Sequence, residues 1–311
     1  MAWRAGGCKA DRSSASNFSF SSLKTESVQT FLRVKKEGGD MTVSSMGDRS
    51  IDYVPCRYNG SRLYFRGPSK ALRGSYIACL GGCDVYGRYV DQPLSDILNG
   101  LVAPSVINLG VENAGVDAYL NDAGALSTAA GASVAIIQMS GCHNTSNRFY
   151  TVHPRRNDRF LKASSRLRAL YPEMDFTEVH FTRHLLGRLE EICAERFLEI
   201  VDEAQRAWRS RMVQLMRHLS GKTVLLWFAP RPLAEDSCGM EEVDPFLTSS
   251  LVGTLQPHAD RMVSVVPETW GVCEAGTSPA DLQSARLAQL PGTGAHQRVA
   301  EVLAKEIAAL V

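Results

Sequence analysis

From Ser75 onward, short apolar runs rich in β-branched residues alternate with stretches of helical periodicity, and no other feature constrains the fold of this chain as much. Apolar runs bounded by turn residues are strands buried on both faces, the situation that arises when helices cover both sides of a parallel sheet. Five strands are expected: "SYIACL" (75–80), "SVINLG" (105–110), "SVAIIQMS" (133–140), "TVLLWFAP" (223–230) and "RMVSVVP" (261–267). A long stretch, 196–219, repeats its apolar residues at helical spacing through Phe197, Ile200, Val201, Ala204, Ala207, Trp208, Met212, Leu215 and Met216. It is predicted to be an amphipathic helix packed on the sheet. Val299, Val302, Leu303, Ile307 and Leu310 mark a second such helix at the end of the chain, with His296 in its first turn.

Residues 1–45 are rich in Ser, Gly, Lys and Arg without periodicity, so a disordered extension is expected there, followed by one α/β domain over 46–311. Its 34 Lys and Arg balance 33 Asp and Glu, leaving a formal net charge of +1. Any attraction to anions must therefore be local, and no nucleic-acid partner is expected. Eight cysteines without a CxxC pair fit a reducing compartment. No signal-peptide core and no apolar run of spanning length is found, so a cytoplasmic protein without a membrane partner is expected.

In an open parallel sheet, ligands bind beyond the carboxyl ends of the strands. The first exit, "GGCDVYG" (81–87), places Cys83 at the start of a helix, where backbone amides favour a thiolate. The second, "NLGVENAGVD" (108–117), offers the Gly110 N–H and the Asn113 amide. After the third strand, Asn144 and Asn147 offer amide hydrogens to a developing oxyanion. "PGTGAHQRVA" (291–300) supplies His296 as a general base. The alternatives for these residues are bland: a small turn residue at Cys83, backbone geometry at Gly110, a satisfied loop asparagine at Asn144 and a capping histidine at His296.

The four exits, in this order, resemble the SGNH or GDSL-type hydrolase superfamily. Cys83 and Gly87 reproduce the spacing from nucleophile to glycine, and Asn108, Leu109 and Gly110 match an Asn-x-Gly block. Gly141 to Asn144 approximates Gly-x-Asn-Asp, and His296 matches the terminal histidine. The resemblance implies a doubly wound, flavodoxin-like fold with Cys83 and His296 as catalytic pair and Gly110 and Asn144 as oxyanion donors. Three positions depart from its pattern: Gly82 and Cys83 replace Asp-Ser, and Thr293 replaces the aspartate three residues before the histidine. Asp84, Glu112, Asp117 and Asp158 are the candidate substitutes for that acid. "DYVPCRYNGSRLYFRGP", "NLGVENAGVD" and the stretch from "SNRFYTVHPRRNDRF" onward are also similar to a bacterial family of unknown function, which implies a cytoplasmic protein and no particular activity.

An insert over about 145–195 is the most distinctive part of the chain. It carries Arg148, Arg155, Arg156 and Arg159 with His153 and Asn157 in "SNRFYTVHPRRNDRF", and His180, Arg183 and His184 in "HFTRHLL". Pro154 stops a helix there, so a loop or lid is expected. Guanidinium forks match carboxylate, phosphate or sulfate, and the arginines with Asn113 are the candidate binding residues for a small anionic ligand. A set of surface ion pairs is the alternative. Cys142, His143, His153, His180 and His184 lack the close paired spacing of a zinc site, and no metal or cofactor is expected. Two functions stay open: a hydrolase or group transferase acting on a small anionic or glycan-derived substrate, and a degenerate SGNH-like fold that binds an anion without turnover.

Overall fold

The structure, a computed structural model, describes residues 51–235, 240, 244–271 and 289–310, so the expected N-terminal extension lies outside the described residues. In chain order the elements are β1 (Tyr76–Gly81), α1 (Cys83–Tyr86), α2 (Leu94–Leu101), β2 (Ser105–Gly110), α3 (Val116–Leu120), α4 (Ala123–Ala130) and β3 (Val134–Gln138). There follow β4 (Tyr150–Val152), β5 (Phe160–Ala163), α5 (Ser165–Leu170), α6 (Thr182–Ile192), α7 (Ala194–His218), β6 (Lys222–Phe228), α8 (Ser249–Gly253), β7 (Arg261–Val265) and α9 (Thr293–Ala308). All five expected strands are present and pair in parallel in the order β2-β1-β3-β6-β7. The sheet strands β3, β6 and β7 stop two residues short of the apolar runs. After β3 the chain turns away at Gly141, which adopts φ 69°.

Side chains along each strand alternate between two buried faces. Ile77, Cys79, Val106, Ile136, Val224 and Leu226 face α2 and α9, where they meet Leu94, Leu98, Val299 and Leu303. Ala78, Leu80, Ile107, Leu109, Ile137 and Leu225 lie in the second core with Tyr119 of α3, Ala125 of α4, and Trp208 and Met212 of α7. Burial of each large aliphatic side chain contributes about 1.5–3 kcal/mol, which is why both faces read as apolar in sequence. The long helix α7 is also tied to the end of the sheet, because Trp208 Nε1 donates to the Ser140 carbonyl at 3.0 Å.

The insert differs from the expected loop. Its first part is an antiparallel hairpin, β4 with β5, whose buried Tyr150 and Val152 flank exposed Thr151. Such short strands carry too little period-2 signal to stand out among arginines. The connection between them is the segment His153 to Arg159, so the arginines occupy a hairpin loop. Among the described residues no helix is long and apolar enough to cross a membrane.

Close packing at the strand exits fixes residue identity at Gly110. A Cβ there would lie 2.4 Å from the Tyr86 amide nitrogen, because α1 crosses directly over the end of β2. Backbone cannot yield as a flexible side chain can. Gly110→Ala is therefore expected to lower stability to urea by about 3 kcal/mol, whereas Gly100→Ala, where a Cβ meets open space in α2, raises it by about 0.5–1 kcal/mol. Equal midpoints for the two variants would contradict this packing.

Candidate functional site: the strand exits and an arginine cleft

Cys83 begins α1, after Gly81 at the end of β1 and Gly82 between the two elements. Its Sγ donates to Asn113 Oδ1 and accepts from the Asn113 N–H, both at 3.4 Å. Asn113 can offer both groups because it sits in the left-handed region at φ 57°. Burial pushes the thiol up to about 11, outweighing the lowering by the Asn113 N–H; the nearby Asp84 and Glu112 charges push it further, against Arg88. A four-residue helix supplies little dipole to offset this, so the group is a thiol at neutral pH.

His296 is wholly enclosed and packs edge-on against Phe228 at 5.7 Å between ring centroids. Its Nδ1 accepts from the Leu94 N–H, the first residue of α2, at 3.0 Å. A neutral imidazole that accepts through Nδ1 carries its proton on Nε2, and Nε2 is buried without a hydrogen-bond partner among the described residues. Burial, with the Arg66 charge adding to it, lowers the ring to about 3, so it stays neutral. In this tautomer neither nitrogen has a lone pair free to take a proton from a nucleophile.

Three of the four candidate acids have partners elsewhere, and Asp158 Oδ1 is buried without a hydrogen-bond partner among the described residues. Asp84 accepts from Gln138 Nε2 at 2.7 Å, and Gln138 Oε1 in turn accepts from the Gly82 N–H at 3.1 Å. Burial raises the Asp84 carboxyl to about 7, opposed by the Gln138 bond and reinforced by the charge of Asp244, a half-buried residue that accepts from the Gly141 N–H. Glu112 pairs with Arg88 at 3.3 Å and Asp117 with Arg211 at 3.4 Å, while Asp158 lies in the field of Arg159 and Arg156. Of the expected oxyanion donors, the Gly110 N–H donates to Asn108 Oδ1 at 2.8 Å, while Asn144 is held through Oδ1, which accepts from the Thr182 hydroxyl. Asp244 and Gln138 were not apparent in sequence, since each acts through a contact far along the chain. Among the described residues no three His, Cys, Asp or Glu side chains cluster as metal ligands would.

The arginines of the hairpin loop converge on an open cleft of about 740 Å³. Arg155, Arg156 and Arg159 line it with His153, and Arg62, Tyr64, Tyr86 and Glu112 complete its wall. Arg148 does not join them: its guanidinium and its backbone N–H both go to Glu203 of α7. Arg62 was missed because the bond that positions it, from its backbone N–H to Asp122 Oδ2 at 2.7 Å, spans 60 residues.

The loop is built around two side chains. His153 Nδ1 accepts from the backbone N–H groups of Arg155 and Arg156 at 3.2 and 3.1 Å. Asn157, fully buried, accepts through Oδ1 from the N–H groups of Gly115 and Ala118 at 2.7 and 3.2 Å and donates Nδ2 to the His153 carbonyl at 2.8 Å. Its own N–H donates to the Asn113 carbonyl at 2.9 Å. One chain of bonds thus runs from Cys83 through Asn113 to Asn157 and the arginine loop.

Residues 41–311 match a family described as "Domain of unknown function (DUF6473)". The chain belongs to that family. No curated protein matches the sequence. Among solved structures, it is similar to the lipase Lip_vut3 from a goat rumen metagenome, with 12% identity, a TM-score of 0.39, and coverage of 76% of this chain and 98% of that one.

Because Asn157 accepts from the Gly115 N–H and holds the His153 carbonyl, Asn157→Ala removes the partner of both groups, while the Ala118 N–H keeps its bond to the Gly115 carbonyl. A loss of about 2–4 kcal/mol is expected by chemical denaturation, with faster amide exchange across 153–159. A variant as stable and as protected as the wild type would show that the loop is held by other means.

Proposed function

We propose that this chain is a doubly wound, flavodoxin-like α/β protein of SGNH-like organisation. In this reading it binds a small anionic ligand in the arginine cleft and does not turn it over through Cys83 and His296. The observation that carries the reading is that Arg155, Arg156 and Arg159 line one cleft from a loop fixed by Asn157. Among the described residues none of the three has a carboxylate within salt-bridge distance, although Asp158 lies in the field of Arg159 and Arg156 and the Arg159 guanidinium sits over the Phe181 ring. A concave wall of one sign focuses the field and raises the local concentration of anions.

The protonation of the strand-exit residues supports the same reading. A neutral thiol and an imidazole whose acceptor nitrogen is occupied by a backbone N–H lack the nucleophile and base that ester transfer needs. The hydrolase or transferase reading would require both to be rearranged.

Calorimetric titration with a hexose monophosphate at low ionic strength tests the proposal. Arg155→Ala combined with Arg156→Ala is expected to weaken binding at least about tenfold, the loss of one charge-assisted contact or more. Cys83→Ser and His296→Gln should leave it within about twofold. Arginine-independent binding, or turnover of an ester or thioester that vanishes in the Cys83 and His296 variants, would overturn the reading in favour of the enzyme.

A further inference from the structure

Resting on the reading of the cleft as an anion site, we infer that its ligand is a hydroxylated, sugar-sized molecule bearing at least two phosphate or sulfate groups. Four arginines line the cleft, Arg62, Arg155, Arg156 and Arg159, and all four are exposed. None has a carboxylate within salt-bridge distance among the described residues, and Glu112 in the cleft wall already pairs with Arg88. A monoanion would neutralise one of the four and leave the rest repelling each other. The volume agrees: about 740 Å³ far exceeds a single oxyanion and is that of a site for a small organic molecule.

The arginines come from two independently anchored segments, which argues for two anionic groups. Arg155, Arg156 and Arg159 share the hairpin loop held by Asn157, whereas Arg62 is fixed through Asp122 beside α4. Several forks sharing one anionic centre favour phosphate or sulfate, whose three terminal oxygens can serve more than one guanidinium. The backbone amides nearby are taken: those of Gly115 and Ala118 by Asn157 and those of Arg155 and Arg156 by His153. The cleft therefore lacks the amide cradle that glycine-rich loops give nucleotide phosphates. One face of exposed Tyr64 is covered by Arg57 at 3.9 Å, and the Glu112 carboxylate suits hydroxyl donors.

The test compares a hexose bisphosphate, the monophosphate of the same hexose, a disulfated disaccharide and ATP by calorimetry at low ionic strength, on the wild type and on Arg62→Ala. Arg62 is exposed and its anchoring bond is through the backbone, so the variant keeps the fold. The bisphosphate or the disulfated disaccharide should bind at least about tenfold tighter than the monophosphate, and Arg62→Ala should abolish that advantage while changing monophosphate binding less than about twofold. Whichever of the two binds tighter identifies the anionic group. Equal affinity for mono- and bis-anions, both still dependent on Arg155 and Arg156, would overturn this inference and leave the anion site standing. ATP binding tighter than every sugar would overturn the hydroxylated scaffold. If no compound shows arginine-dependent binding, the anion site falls as well.

Discussion

The buried side chain of Asn157 is the constraint on which the rest of the site depends. A hairpin loop carrying three arginines would repel itself and sample many conformations if nothing held it. Asn157 holds it by taking the amides at the start of α3 and the His153 carbonyl, while its own N–H reaches Asn113. Because Asn113 also bonds Cys83, the position of the arginines is set by the strand exits of β1 and β2. The sheet, itself fixed by burial on both faces, is the platform, and the asparagine transmits its rigidity to the charged loop.

Burial decides the chemistry of the remaining polar groups. At Cys83, Asp84 and His296 the same desolvation acts on different charges, raising the thiol and the carboxyl and lowering the imidazole, so that each is pushed toward its neutral form. The arginines of the cleft, by contrast, remain exposed and charged. The strand-exit groups, each pushed toward its neutral form, thus lie beside an arginine-lined surface, and the chain of bonds through Asn113 and Asn157 joins the two.

The parallel sheet was legible because continuous apolar runs are what double-sided burial demands, and α7 and α9 because their stripes extend over several turns. Cys83 with Asn113, and Arg155, Arg156 and Arg159 with His153, were recognisable as strand-exit and loop residues. The partners that define them were not. The pairing of Arg148 with Glu203 joins residues 55 apart, and the bond from Leu94 to His296 spans 202. That second bond fixes the imidazole tautomer, a property that spacing along a chain does not encode. The hairpin was hidden for another reason, since strands of three and four residues contain barely one period of alternation.

The central claim is that the strand-exit thiol and imidazole are structural while the arginine cleft reads the ligand. Its most direct test is the pH dependence of Cys83 alkylation by iodoacetamide, followed by peptide mass spectrometry in the wild type and in His296→Gln. The account predicts that the rate rises only at alkaline pH, above the ~8.5 of a free thiol, with the same profile in both proteins. A Cys83 that titrates below that value in the wild type and loses the shift in His296→Gln would contradict it.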